Sequence, residues 1–300
     1  MTSLQFQAVV HLLRANPTPP GIPLADRRAA ADALAAQTPL LDGVYSEQIS
    51  IPGPAGKIAA LLLAAASAAD DKVILYFHGG GYVQGSLLTH RDLACRLSAV
   101  SGARVLLADY RLAPENPFPA AVEDGTAVYH WLQQSGLDPA HIIIGGDSAG
   151  GGLALATMLT LRAAGELLPA AAFALSPWFD LALTGDSLHS NATADPVLTP
   201  AQLTEFAAAY LDGADPTTPL ASPLYADLSG LPPLFIQVGT AELLLDDATR
   251  LAAQAQAAGV TVTLDTWAEM IHGWQGFAAF VPEAFEALER VGNFVQRCFA

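Results

Sequence analysis

The run HIIIGGDSAGGG, residues 141–152, sets a single serine among five glycines. A turn of this kind can cradle a phosphate, lift a nucleophile into the open, or let a helix pack closely on a sheet. The residues exclude the first use. A P-loop needs a Lys after its last glycine, and a dinucleotide fingerprint needs GxGxxG with an acidic residue ending the next strand. Neither pattern is present, and the next strand-like run ends in ALSPWFD. What remains is GxSxG: Gly146, Asp147, Ser148, Ala149 and Gly150. Serine becomes a nucleophile when a base takes its proton and N–H donors hold the oxyanion that forms on the attacked carbonyl. A second glycine run, HGGG at residues 78–81, can bring backbone amides close to a substrate.

The base and its carboxylate should lie late in the chain. Of seven histidines (His11, His78, His90, His130, His141, His189 and His272), only His272, in MIHGWQGF, follows the last strand-like run. His11, His90 and His130 read as surface or packing residues on helices, and His78 as an anchor of its loop rather than a catalyst. The carboxylate falls in TAELLLDD. Glu242 stands at the loop mouth and is favoured; Asp246 is the alternative. Asp246 and Asp247 sit where a helix should begin, so a capping role explains them.

These residues need elements to position them. Short apolar runs begin at Tyr45, Lys57, Lys72, Ala103, His141, Ala171, Pro233 and Val260. The first two flank PGPAG and predict a hairpin. From Lys72 onward the runs alternate with helix-length segments, three of which stop at Gly102, Gly165 and Gly259, where a helix C-terminus favours glycine. Alternation of this kind predicts βαβ units, and continuous runs such as VILYF suit a sheet covered on both faces. The expectation is an α/β fold: an eight-stranded, mostly parallel sheet with an antiparallel start. GxSxG then falls at a strand–helix junction and HGGG directly after a strand, the contexts of a nucleophile elbow and an oxyanion loop. The backbone amides of Gly80, Gly81 and Ala149 are the expected oxyanion donors, with Gly79 shaping the turn.

Composition narrows the function classes. Hydrophobic residues make up 52% and charged residues 14% of 300, ample for a large core. A formal net charge of −16 argues against nucleic acid as a partner. The two cysteines, Cys95 and Cys298, lie far apart with no CxxC or Cys/His cluster, so neither a disulfide framework nor a zinc site is expected. The N-terminus lacks a basic region before its apolar residues, and the longest apolar run, from Ile58 to Ala69, is too short to cross a bilayer. A soluble, cytoplasmic chain with no membrane partner is expected.

Together, HGGGYVQG, DYRLAPENPFPAAVED, GGDSAGG and HGW resemble the motifs of the hormone-sensitive lipase-like esterases, the bacterial family IV carboxylesterases, from about Lys72 to the C-terminus. The resemblance implies an α/β-hydrolase core, residues 44–177 and 232–300. It also implies a helical cap made of residues 1–43 and the insertion 178–231, which interrupts the strand–helix alternation. It implies hydrolysis of small-molecule esters with short to medium acyl chains, no cofactor and no metal, and it admits a homodimer. The family's triad and oxyanion motifs map onto Ser148, His272, Gly80, Gly81 and Ala149. Many members carry an Asp-x-Leu-x-Asp pattern where this chain has Glu242-x-Leu244-x-Asp246, which supports Glu242. DYRLAPE is expected to brace the core through Arg111 and Glu115. A lactone, amide or xenobiotic ester as substrate, or a non-catalytic receptor role, remain the alternatives.

Overall fold

VILYF, III and AAFAL are apolar at every position, and LFIQV at every position but Gln237, which suits strands covered on both faces. In the computed structural model, which describes residues 2–17, 19, 21–38 and 41–300, each is buried throughout. The linker residues Thr18 and Pro20, and Met1, Pro39 and Leu40, lie outside the described residues. The strands are β1 (Val44–Gly53), β2 (Gly56–Ala65), β3 (Ala69–Phe77), β4 (Ala103–Ala108), β5 (Ile142–Asp147), β6 (Ala171–Leu175), β7 (Leu234–Gly239) and β8 (Val262–Trp267). They form one eight-stranded sheet in the order β1-β2-β4-β3-β5-β6-β7-β8. The β1–β2 and β2–β4 pairs are antiparallel; every later pair is parallel. The strand expected to open at His141 opens one residue later, because Asp138 accepts from the Ala140 amide and holds Pro139–His141 in a 3-10 turn.

The helices are α1 (Leu4–Ala15), α2 (Leu24–Ala35), α3 (Leu87–Ser101), α4 (Ala120–Gln134), α5 (Ala149–Ala163), α6 (Ser187–Ser190), α7 (Pro200–Leu211), α8 (Leu245–Ala257) and α9 (Pro282–Cys298). Their apolar faces make two cores, one on each side of the sheet. Leu153 of α5, Val128 of α4, Leu251 of α8 and Phe206 of α7 lie on one side. Leu97 of α3, Leu288 of α9 and Phe6 of α1 lie on the other. Gly102 ends α3 in the left-handed region at φ 68°, and Ser86 starts it with a capping box.

Segments outside the strand–helix alternation are tied down by arginines. Arg28 of α2 donates to the carbonyls of Val83 and Ala113 at 2.6 and 2.7 Å and pairs with Glu115. Arg27 pairs with Glu205 of α7 and lies over the Phe206 ring. This alters the bracing expected of DYRLAPE. Arg111 does brace α4, through buried Asp124 at 2.9 Å, but Glu115 faces outward and holds α2 instead.

On the second face, α3 and α9 approach so closely that a Cβ on Gly292 would lie 2.5 Å from the Val100 carbonyl oxygen. Overpacking of this kind costs about 1–3 kcal/mol. Gly292→Val is expected to lower the unfolding free energy measured by urea titration by about 1–3 kcal/mol, seen as a lower midpoint at an unchanged slope.

Candidate active site

The site is built along the carboxyl ends of β3, β5, β6, β7 and β8. At the end of β5 the chain must turn sharply from strand into helix. Ser148 does this at φ 52°, ψ −120°, a conformation that costs an L-residue about 1–3 kcal/mol. The turn forces backbones together. A Cβ on Gly146 would lie 2.4 Å from the Gly150 carbonyl, and one on Gly150 only 2.0 Å from the Phe77 oxygen. The elbow is pinned from both sides: Ser148 N–H donates to Leu175 O at 2.8 Å, and Trp178 N–H to Ser148 O at 3.0 Å. Gly152 serves packing, since a side chain there would strike the Trp178 carbonyl oxygen at 2.6 Å.

Ser148, His272 and Glu242, far apart in sequence, meet here. His272 Nε2 lies 3.1 Å from Ser148 Oγ, and His272 Nδ1 lies 3.0 Å from Glu242 Oε2. A proton on Nδ1 shared with the carboxylate leaves the Nε2 lone pair facing the serine hydroxyl. The two carrying loops are stitched together: Thr240 N–H donates to Trp267 O and Ala241 N–H to Met270 O. Glu242 is completely buried, and Ser148 and His272 are nearly so. Burial pushes the Glu242 carboxyl up, and donors from His272, the Gly239 amide and Ser176 pull it back. Burial works against a charged His272, yet the bond to Glu242 and its charge, helped by Asp195 and Asp147, hold the imidazole above its ordinary value.

Asp246 and Asp247 do not act as helix caps. Asp246 accepts from the Ser187 amide, and Asp247 from the amides of Phe179 and Asp180 at 2.7 and 2.8 Å. Both carboxylates are spent on the segment after β6, which leaves Glu242 as the one that reaches His272.

The HGGG loop leaves β3 beside the elbow. Gly80 and Gly81 lie at φ 117° and 64°, values open to glycine at little strain. Among the described residues, no hydrogen bond occupies the amides of Gly80, Gly81 or Ala149. His78 is fully buried, stacks on Tyr110 at 4.3 Å, and is lowered to about 3 by burial and by neighbouring His90. It is therefore neutral and structural.

Three residues carry more than sequence reasoning assigned them. Asp147 accepts from Tyr76 Oη at 2.8 Å and the Gly79 amide at 3.0 Å, locking the HGGG loop to the elbow. Burial opposes its charge, but His90 holds it below the usual carboxylate range. His90 is thus not a surface or packing residue: its Nε2 faces Asp147 Oδ2 at 3.3 Å. Ser176, directly after β6, touches Glu242 through its hydroxyl. An acid inside GxSxG was a readable signal for Asp147; Ser176 had none.

Residues 74–276 match a family described as alpha/beta hydrolase fold. An acetyl-hydrolase of Streptomyces hygroscopicus is 48% identical over 219 residues, 73% of each chain. A solved esterase of the bacterial hormone-sensitive lipase family is 46% identical, covers 100% of both chains and superposes with a TM-score of 0.95. The structure of EstE5 soaked with p-nitrophenyl butyrate is 45% identical over 99% of each chain, with a TM-score of 0.94.

The elbow geometry has a direct test. Gly150→Ala places a methyl against the Phe77 carbonyl and must displace Ser148. A shift of about 1 Å at a reacting group costs about 100-fold. Labelling of Ser148 by a fluorophosphonate is expected to slow by that factor, with far-UV circular dichroism retained.

Proposed function

The chain belongs to the hormone-sensitive lipase-like esterases of the alpha/beta hydrolase fold and is a carboxylic ester hydrolase, and on that premise we propose that Ser148, His272 and Glu242 are its catalytic triad. The observation that carries this reading is the unbroken line from Ser148 Oγ to His272 Nε2 at 3.1 Å and from His272 Nδ1 to Glu242 Oε2 at 3.0 Å. His272 Nε2 takes the hydroxyl proton as Ser148 Oγ attacks the ester carbonyl carbon. Glu242 keeps the Nδ1 proton in place and stabilises the imidazolium without taking that proton. The amides of Gly80, Gly81 and Ala149 receive the oxyanion, and each such donor contributes about 3 kcal/mol in related chemistry. His272 then gives its proton to the departing alcohol, leaving an acyl group on Ser148. A water deprotonated by His272 attacks that ester, the acid leaves, and Ser148 Oγ recovers its proton.

The proposed substrates are esters with short to medium acyl chains. Support comes from the acetyl-hydrolase relative and from the p-nitrophenyl butyrate used with the 45%-identical structure. Residues 1–43 and 178–231 are proposed to form the cap. In support, Phe206 of α7 lies against Gly81, and Tyr210 stacks on Tyr82 at 3.8 Å, directly over the HGGG loop.

Three outcomes are expected. Ser148→Ala lowers kcat on p-nitrophenyl butyrate by about 10⁴-fold or more; retained turnover would overturn the triad. In a series of p-nitrophenyl esters, kcat/KM peaks at short to medium chains and falls for long ones. The reaction also needs neutral His272. Since His272 favours its protonated form, activity is lost as pH falls through its raised value, so the acid limb of kcat/KM lies above that of an ordinary imidazole.

A further inference from the structure

Ser176 stands at the carboxyl end of β6 with φ 45°, left-handed and fully buried. Its amide continues the β6–β7 ladder by donating to Gln237 O at 2.7 Å. At such an angle the backbone favours glycine or asparagine. The backbone therefore does not account for a serine; the hydroxyl is what serine adds.

That hydroxyl has one hydrogen and two acceptors in reach: Glu242 Oε1 at 2.7 Å and Gln275 Oε1 at 3.4 Å. The shorter, charged acceptor takes the hydrogen. The Oγ lone pair receives the Gly273 amide at 3.1 Å, from the residue after His272. Glu242 Oε1 also receives the Gly239 amide at 2.7 Å. Two donors thus occupy one carboxylate oxygen, and Oε2 is left for His272. Rotating the carboxylate would break both bonds at once.

We propose that Ser176 is a positioning residue of the triad, whose hydroxyl clamps the Glu242 carboxylate and the His272 loop in one geometry. The proposal rests on the triad reading above. Ser176 touches no reacting atom and acts through Glu242 and the backbone beside His272. Charged groups facing His272 are Glu242 from the loop after β7, Asp195 from the segment after α6, and Asp147 from β5. Ser176 aims the positive end of its O–H dipole at this acidic group. Removing it favours the imidazolium and raises the pH at which His272 becomes neutral.

The test compares Ser176→Ala, Ser176→Gly, Glu242→Ala, the Ser176→Ala/Glu242→Ala double variant and Ser148→Ala on p-nitrophenyl butyrate. Glycine adopts φ 45° freely, so Ser176→Gly removes the hydroxyl without backbone strain and carries the readout if the alanine variant does not fold. Ser176→Ala and Ser176→Gly are expected to lower kcat about 10- to 100-fold, to leave KM nearly unchanged, and to move the acid limb of kcat/KM to higher pH. In the Glu242→Ala background the Ser176 change should cost little more, because its target is gone. Wild-type kcat and acid limb in Ser176→Gly would overturn the proposal, as would an undiminished loss in the Glu242→Ala background. Activity retained by Ser148→Ala would instead refute the triad itself, so the two failures are told apart.

Discussion

The left-handed backbone of Ser148 is the constraint from which the rest of the site follows. A non-glycine residue at φ 52° persists only where its surroundings over-determine it. Those surroundings are the ends of the neighbouring strands. Phe77 at the end of β3 presses on Gly150, and Leu175 at the end of β6 accepts the Ser148 amide. β5 lies between β3 and β6 in the sheet, so both constraints come from adjacent strands. The same order then distributes the chemistry. HGGG leaves β3, Ser148 leaves β5, Ser176 leaves β6, Glu242 follows β7 and His272 follows β8. A parallel sheet brings all these ends to one edge without any long-range sequence signal.

A second pattern concerns charge. The chain has only 13 Lys and Arg against 29 Asp and Glu, and several arginines stand at joints rather than in isolated surface pairs. Arg28 joins α2 to the loops after β3 and β4, while Arg91 of α3 donates to the carbonyls of Ala35 and Thr38. Arg162 of α5 holds the carbonyls of Asp227 and Ser229, and Arg250 of α8 reaches Asp180 and Thr184. A guanidinium offers five donors in a rigid fork, so one side chain can satisfy several loop carbonyls that would otherwise be left without partners. Exposed ion pairs contribute little by themselves. What these arginines supply is attachment of non-alternating segments to the sheet.

How much was readable from sequence follows from the range of each interaction. Strands such as VILYF and helices ending at Gly102, Gly165 and Gly259 are set by local pattern, and the eight-stranded, mostly parallel sheet follows from their alternation. GxSxG and HGGG are local too, because steric crowding within a few residues demands glycine. The position of Asp246 and Asp247 matches a local capping rule, but their partners, Ser187, Phe179 and Asp180, are about sixty residues away in sequence. Glu115 likewise has no local partner: Arg28, which it pairs with, belongs to a helix far upstream. His90 looked like an ordinary helical residue, since nothing near it in sequence announces that Asp147 will lie opposite. Ser176 is the extreme case, a small polar residue at a strand end whose contacts are all tertiary.

Acids from the chain after β7 explain how the segment after β6 keeps its shape. Residues 176–180 leave the sheet beside the elbow and are held at both ends by carboxylates from the chain after β7. Ser176 donates to Glu242; the amides of Phe179 and Asp180 donate to Asp247. Burial, followed by the nearby Asp180 charge among the effects that raise it, pushes Asp247 up to about 8, despite the two amides and Arg250. Asp180 is also buried, but pairs with Arg250 and accepts from Tyr225 and Thr184. Two acidic side chains this close cannot both carry full charge without a counterion. The arginine pairs with Asp180, and the raised value of Asp247 favours its protonated form, so the anchor does not carry two bare charges side by side. Glu242, on the same loop, differs from both: its Oε2 lies 3.0 Å from His272 Nδ1, a partner that can become cationic.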